Sequence, residues 1–120
     1  MTIEEIQKST EFQVFDRKSA KIDAKALAVL LVAFANADGG TAAIGVENDG
    51  EITGVDGLQE NVNELLRAGL DYCVPSILTT QEYMDVTDSK GRKNHIILMR
   101  VAPSMKVHAN QADGGRKSCA

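Results

Sequence analysis

The chain has 120 residues, a length typical of one domain. Apolar residues make up 43% of it and charged residues 25%, a balance that excludes a disordered protein. The longest apolar run, Ala26–Ala35, is too short to cross a bilayer, which takes about 20 residues. The acidic N-terminus is unlike a signal peptide, and Cys73 and Cys119 match no metal-binding spacing. We therefore expect one cytoplasmic domain with two free thiols.

Charge is distributed unevenly along the chain, whose net charge is −4. Residues 38–88 contain eleven acids and Arg67 as their one base, whereas residues 89–120 contain seven bases and Asp113 as their one acid. A nucleic acid could dock only on the basic parts, so any binding is expected to be regional. The alternative is a solvated charged surface with no partner.

The first half of the chain predicts a strand, a helix and a hairpin. Glu11–Lys18 has apolar residues among polar ones, which is typical of an extended strand. Asp23 is a good N-cap for a helix that runs to about Asn36. Thr41–Val46 predicts a buried strand, and the Asn-Asp-Gly turn that follows predicts Glu51–Val55 as its hairpin partner.

The second half predicts another helix and a second hairpin. Leu58–Tyr72 has apolar residues at helical spacing. Ile77–Val86 and His95–Val101 predict two strands that are joined by a turn at residues 88–92. His95 and His108 have no partner in the sequence that would make a catalytic triad, and we expect both to be isolated.

These elements predict a domain over residues 1–109 and a polar, flexible tail over residues 110–120. Their order, β-α-β-β-α-β-β, indicates an α+β fold in which two helices pack on one face of a mixed five-stranded sheet. The other face of the sheet, or the hairpin tips, would then remain available to a partner.

Four carboxylates form the first candidate site: Glu11, Asp16, Glu47 and Asp49. Asp16 and Lys18 project to the same side of a regular strand, whereas Glu11 would need a bulge to join them. Such a cluster could hold a divalent cation for phosphodiester chemistry. The alternative is a charged edge strand and a soluble turn without any ligand.

Asn36, Gly39, Gly40 and Gly45 form the second candidate, at the end of the first predicted helix. The two adjacent glycines would let the chain reverse after the helix, and Asn36 could satisfy backbone groups at its C-terminus. A phosphate cradle is disfavoured because phosphates prefer a helix N-terminus. We expect a structural turn.

The third candidate is a set of bases that could neutralise phosphates without reading the bases of a nucleic acid. The few aromatic residues are not interleaved with them, so base stacking is not indicated. The predicted nucleic-acid-binding residues are Arg17, Lys18, Lys21, Lys25, Arg92, Lys93, Arg100 and Lys106.

Three segments resemble the Schlafen Alba-like DNA-binding domain, also called AlbA_2 and formerly described as a divergent AAA-type domain. They are Phe15–Ala20, Val32–Thr41 and Ile44–Val55, and the resemblance covers roughly residues 10–109. It implies a module of bacterial transcriptional regulators or helicase-related ATP-binding proteins, usually followed by a C-terminal domain. The sequence has no P-loop motif, so ATP hydrolysis is unsupported.

The resemblance also implies a metal-dependent active site in those Schlafen proteins that are nucleases. Glu11, Asp16 and either Glu47 or Asp49 match its acidic positions, but Asp16 and Glu47 exchange the usual acid types. Mg²⁺ or Mn²⁺ would be the cofactor in that case.

The sequence therefore predicts a nucleic-acid-binding module, for DNA before RNA, that works as a homodimer or beside a missing domain. A divalent-metal-dependent nuclease is the first alternative. A protein-interaction or dimerisation domain without nucleic acid is the second.

Overall fold

The computed structural model of the protein describes residues 15–104 and 108–110. The elements in chain order are β1 (Phe15–Lys18), α1 (Ala24–Ala35), β2 (Gly40–Ile44), α2 (Gln59–Leu66), α3 (Ala68–Asp71), β3 (Cys73–Val74), β4 (Thr80–Thr87), β5 (Lys93–Val101) and β6 (Ala109–Asn110). No helix within these ranges is long and apolar enough to cross a membrane.

Four of the strands form a mixed sheet in the order β1-β2-β5-β4. β1 and β2 are parallel, whereas β5 is antiparallel to both β2 and β4. β3 and β6 form a separate antiparallel pair. The predicted α+β class is confirmed, with three helices where two were expected and a four-stranded main sheet where five strands were expected.

The sheet has an apolar cluster on each face, because side chains alternate along a strand. On the face that we call the helix face, Ile97 and Met99 of β5 pack with Leu31 of α1. On the opposite face, which we call the second face, Ile96 and Leu98 form a smaller cluster with residues of β2 and its following turn. β5 is therefore the central strand of the core, and its apolar side chains are buried on both sides.

Local signals for the first helix are confirmed at both ends. The Asp23 carboxylate accepts a hydrogen bond from Lys25 N at 3.2 Å, which satisfies one free N–H at the start of α1. Gly39 adopts a φ of 85°, and its N–H donates to Phe34 O at 2.9 Å. That conformation is easy only for glycine, so the chain reverses at Gly39 after the end of α1, and Gly40 begins β2.

Asn36 joins the end of α1 to the segment at His108, which was not its predicted role. Its amide nitrogen donates to His108 O at 3.1 Å, and its amide oxygen accepts from His108 N at 2.9 Å. The His108 ring is buried, with Nδ1 2.7 Å from Pro75 O and Nε2 2.7 Å from Ser104 Oγ. The prediction that His108 is isolated is wrong. Since a carbonyl oxygen only accepts, Nδ1 carries a proton, and the ring serves as a structural link.

The predicted return strand Glu51–Val55 does not form. The segment makes a single β-bridge, Val46 to Ile52, and then approaches β5, where Val55 N donates to His95 O at 2.8 Å. The N–H groups of residues 53 and 54 both donate to Gly45 O at 2.9 Å, so they cannot extend a ladder. Because Gly45 O accepts both hydrogen bonds, these N–H groups do not pair with successive residues of a neighbouring strand.

The predicted helix Leu58–Tyr72 is divided into α2 and α3 at Arg67. Ile77 N donates to Gly69 O at 2.8 Å, so the backbone of α3 also bonds to the chain that follows it.

Asn94 makes the central polar contacts of the fold. Its side-chain oxygen accepts from Val55 N at 3.1 Å and from Asp56 N at 3.0 Å. Its amide nitrogen donates to the buried Asp88 carboxylate at 3.0 Å. That carboxylate also accepts from Lys90 N and Arg92 N, so one buried amide connects the β4–β5 loop to the turn before α2.

We predict that Asn94→Ala lowers the free energy of unfolding by about 2 kcal/mol, because it leaves Asp56 N without its acceptor and removes a donor from the buried Asp88 carboxylate. Urea unfolding followed by circular dichroism measures the change. Asn63→Ala is the matched control, because the exposed Asn63 amide has one side-chain partner among the described residues, Gln59 at 2.8 Å. Equal stability of the two variants would contradict the assigned role of Asn94.

Candidate nucleic-acid interface

A groove of about 430 Å³ lies at one end of the sheet. The loop after β1, the turn between β2 and α2, and the β4–β5 loop line it, and we call it the hairpin groove. Its basic side chains are Lys21, Lys90 and Arg92, and Ser19 and Ser89 add hydroxyl groups. Of these bases, sequence reasoning identified Lys21 and Arg92 but not Lys90. Amines, a guanidinium and hydroxyls are groups that bind phosphate oxygens.

Four carboxylates also line the hairpin groove, and each accepts a hydrogen bond. Glu47 accepts from Thr53 Oγ1 at 2.7 Å, and Glu51 accepts from Ser89 Oγ at 2.8 Å. Asp56 contacts His95, and Asp88 is buried in the network with Asn94. Hydrogen bonds to other side chains therefore fix the positions of these four carboxylates, although their negative charges still repel a bound anion.

Two of the three described bases of the groove lie outside any described ion pair. The exposed side chains of Lys21 and Lys90 form no ion pair with the described residues, whereas Arg92 lies 3.8 Å from Asp88. Lys93, the first residue of β5, also lacks an ion pair with the described residues and lines the neighbouring concavity beside His95. The end of the β4–β5 hairpin thus presents amines that are available to an anion.

The other predicted bases lie elsewhere or are paired. The Lys25 amine lies over the Tyr72 ring at 5.9 Å from its centre, near the start of α1. Arg100 contacts Glu82 at 2.8 Å, at the far end of β5. Seven residues separate it from Lys93, which is roughly 24 Å along a strand. These bases do not belong to the hairpin groove.

The bases of β1 contact neighbouring polar groups. Lys18 lies 3.4 Å from the Asp16 carboxylate, which confirms that the two side chains project to one side. Arg17 donates to Asn48 O at 3.1 Å. Lys18, Arg92 and Arg100 are each within ion-pair distance of an acid, so the expected separation of basic from acidic side chains is wrong for the described residues.

The predicted carboxylate cluster has three described members, Asp16, Glu47 and Asp49. Asp49 accepts a hydrogen bond from Glu51 N at 2.9 Å, which is a turn contact. Within residues 15–104 and 108–110, no three Asp, Glu, His or Cys side chains are arranged to hold a metal ion. Glu11 and Lys106 lie outside the described residues, so a cluster that includes Glu11 remains a prediction.

His95 lies between two carboxylates, and the prediction that it is isolated is wrong. Its Nδ1 is 2.9 Å from Asp56 Oδ1, and its Nε2 is 3.1 Å from Asp85 Oδ1. An ionised carboxylate only accepts hydrogen bonds, so both contacts favour the doubly protonated ring. The hydrogen bond to Asp56, followed by the charges of Asp56 and Asp85, raises the pKa of His95 above its usual value. Asp56 therefore connects this imidazole to the hairpin groove.

Cys73 takes no part in any of these sites. Its thiol is buried beside the carbonyl oxygens of Ala28 and Ala68, and burial raises its pKa to about 11. Cys73 is therefore a free thiol, as the sequence predicts, and its burial makes it unreactive.

The chain thus forms a small α+β domain in which polar side chains line a groove at one end of the main sheet. The family model described as Schlafen, AlbA_2 matches residues 8–118. The chain therefore belongs to the Schlafen AlbA_2 family, in agreement with the resemblance of its motifs. That membership is consistent with a role that involves nucleic acids. No curated protein matches the sequence.

We predict that the stability contributed by His95 falls as pH rises. Because the pKa of His95 is raised in the folded state, this stabilisation is complete below the ordinary value of 6.5 and is lost as pH passes through the higher folded value. Urea unfolding at a series of pH values from below 6.5 upwards measures the slope in the native protein and in His95→Gln. The glutamine variant should lose the part of the slope that belongs to this residue, and identical slopes would contradict the assignment.

Proposed function

We propose that this protein is a nucleic-acid-binding domain that holds the phosphate backbone in its hairpin groove. DNA is the proposed ligand, and a bacterial transcriptional regulator or helicase-related protein is the proposed context. The observation that carries the proposal is the convergence of Lys21, Lys90 and Arg92 on one groove, with both lysines outside any described ion pair. Family membership supports the same class of ligand.

The geometry favours contacts with phosphates over the reading of sequence. No aromatic side chain is among the described residues that line the groove, so base stacking has no platform there. Lysine amines and serine hydroxyls bind phosphate oxygens of any sequence. The proposed binding is therefore sequence-tolerant and decreases as salt rises.

The carboxylates of the groove set the strength of this binding. Among the described residues, three bases share the groove with four acids, so a phosphate meets repulsion as well as attraction. Non-specific complexes have dissociation constants of about 10⁻⁴–10⁻⁶ M, and we place this domain in that range.

We predict that Lys21→Gln with Lys90→Gln weakens binding to short duplex DNA equally for all sequences. Loss of two phosphate contacts should reduce the slope of log affinity against log salt by about two. Fluorescence polarisation across a salt series measures both effects. Arg67→Gln with Arg100→Gln removes the same charge and is the matched control, because both guanidinium groups are already paired, with Asp71 and Glu82.

Two outcomes would contradict this proposal. One is that the native protein fails to bind duplex DNA, single-stranded DNA and RNA at low salt. The other is that the lysine variant binds as the native protein does. A gel shift with and without magnesium separates binding from cleavage, and fragments that appear only with magnesium would favour the nuclease alternative.

We predict that Glu51→Gln tightens binding by about two- to threefold, the effect of removing one negative charge some 8 Å from a phosphate in water. The fold should persist, because the new amide oxygen can still accept from Ser89 Oγ, now 2.8 Å from Glu51 Oε2. The polarisation assay measures the change, with Glu82→Gln outside the groove as control. Weaker binding by Glu51→Gln would show that this carboxylate helps to hold the ligand, and would contradict the prediction.

A further inference from the structure

The outer strand of the main sheet has an exposed edge. β4 pairs with β5 over the full length of Thr80–Thr87, and among the described residues it has no second strand partner. Most of its side chains are exposed, including Tyr83 at 54%. An edge of eight residues is long enough to accept another strand.

Hydrogen bonds in the structure show which backbone groups of β4 face outward. Val55 N donates to His95 O at 2.8 Å, so the His95 backbone faces away from β4. The even-numbered residues of β5 therefore bond to β4, and their partners in β4 are also even-numbered. The N–H and C=O groups of Gln81, Tyr83, Asp85 and Thr87 consequently face outward.

Apart from the charges of Glu82 and Asp85, β4 lacks the features that usually protect an edge strand. Its sequence, Thr-Gln-Glu-Tyr-Met-Asp-Val-Thr, contains no proline, glycine or lysine. Its register with β5 runs without a bulge from Thr80 to Thr87. Proline, lysine and bulges are the common devices that prevent an edge from pairing with another chain.

We propose that a second copy of this chain pairs with β4, antiparallel and across a two-fold axis, so that the two main sheets become one. The side chains identify the register of the two strands. With Met84 opposite Met84 of the other copy, Tyr83 lies opposite Asp85 and Glu82 lies opposite Val86. All four outward-facing residues then have a hydrogen-bonding partner, since Gln81 lies opposite Thr87.

Neighbouring registers are less favourable. In the register that centres on Asp85, this carboxylate lies opposite Asp85 of the other copy. In the register that centres on Glu82, midway between Gln81 and Tyr83, Glu82 likewise lies opposite Glu82 of the other copy. Like charges directly opposite each other destabilise a strand pair. The register that centres on Tyr83 avoids such clashes, but it leaves Thr87 without an outward-facing partner in the strand. The Met84 register is therefore the selected one.

Packing on the second face favours the same arrangement. Met84 and Val86 are partly buried against the cluster that contains Ile96 and Leu98. Contact of Met84 with its copy continues this apolar cluster across the axis. An edge of this size belongs with small interfaces, below about 1,200 Å² of buried surface, so the dimer is a transient one.

A disulfide test reads out the register directly. Met84→Cys in a Cys119→Ser background should form a covalent dimer on mild oxidation, because Cα atoms at a non-hydrogen-bonded antiparallel pair are about 4.5 Å apart. Buried Cys73, with a pKa of about 11, should not react. Val86→Cys is the matched control, since its residue lies opposite Glu82 in this register and should remain monomeric.

A proline substitution tests the backbone contacts. Tyr83→Pro removes an outward N–H that β5 does not use, so the domain should stay folded while dimerisation weakens at least tenfold in sedimentation experiments. Tyr83→Ala keeps that N–H and should weaken the dimer less. We expect a dimer dissociation constant in the micromolar range, so a native protein that remains monomeric at about 100 µM would overturn the proposal. So would a proline variant that dimerises normally, or cross-linking of Val86→Cys in place of Met84→Cys.

Discussion

The buried amide of Asn94 is the constraint on which the shape of this domain depends. It connects two loops that are distant in the chain. One of them, the β4–β5 loop with Lys90 and Arg92, is also held by hydrogen bonds from its backbone to Asp88, the carboxylate that Asn94 contacts. Gly54 shows how close this contact is, because its φ is 77° and a Cβ at this position would collide with the Asn94 side chain. The groove therefore forms only when the core strand β5 is in place.

Short-range chemistry made much of the fold predictable. The carboxylate of Asp23 and the positive φ of Gly39 are local signals, and both ends of α1 lie close to where the sequence places them. The strand at residues 51–55 could not be predicted correctly, because Gly45 O and the Asn94 side chain compete for its N–H groups from outside the segment. Alternation and turn signals contain no information about such competitors.

The candidate site was less predictable than the fold, for a similar reason. The distribution of charge along the chain suggested a basic region. In the folded domain, however, Arg92 lies beside Asp88 and Arg100 forms an ion pair with Glu82. The contact of His95 with Asp85 follows from hairpin register, since a turn centred on Lys90 places these residues opposite each other. Its contact with Asp56, 39 positions away, could not be predicted from any local pattern.

The two proposed interfaces use different groups, so one does not obstruct the other. Phosphate contacts involve side chains at the end of the β4–β5 hairpin, whereas strand pairing involves the outward backbone of β4. In the Met84 register, Asp88 of one copy lies opposite Thr80 of the other. The two hairpin ends are then eight residues apart, or about 27 Å along the strands. In the proposed dimer, two weak phosphate-binding grooves on one continuous sheet would gain avidity on an extended nucleic acid, which would offset the repulsion from the carboxylates in each groove.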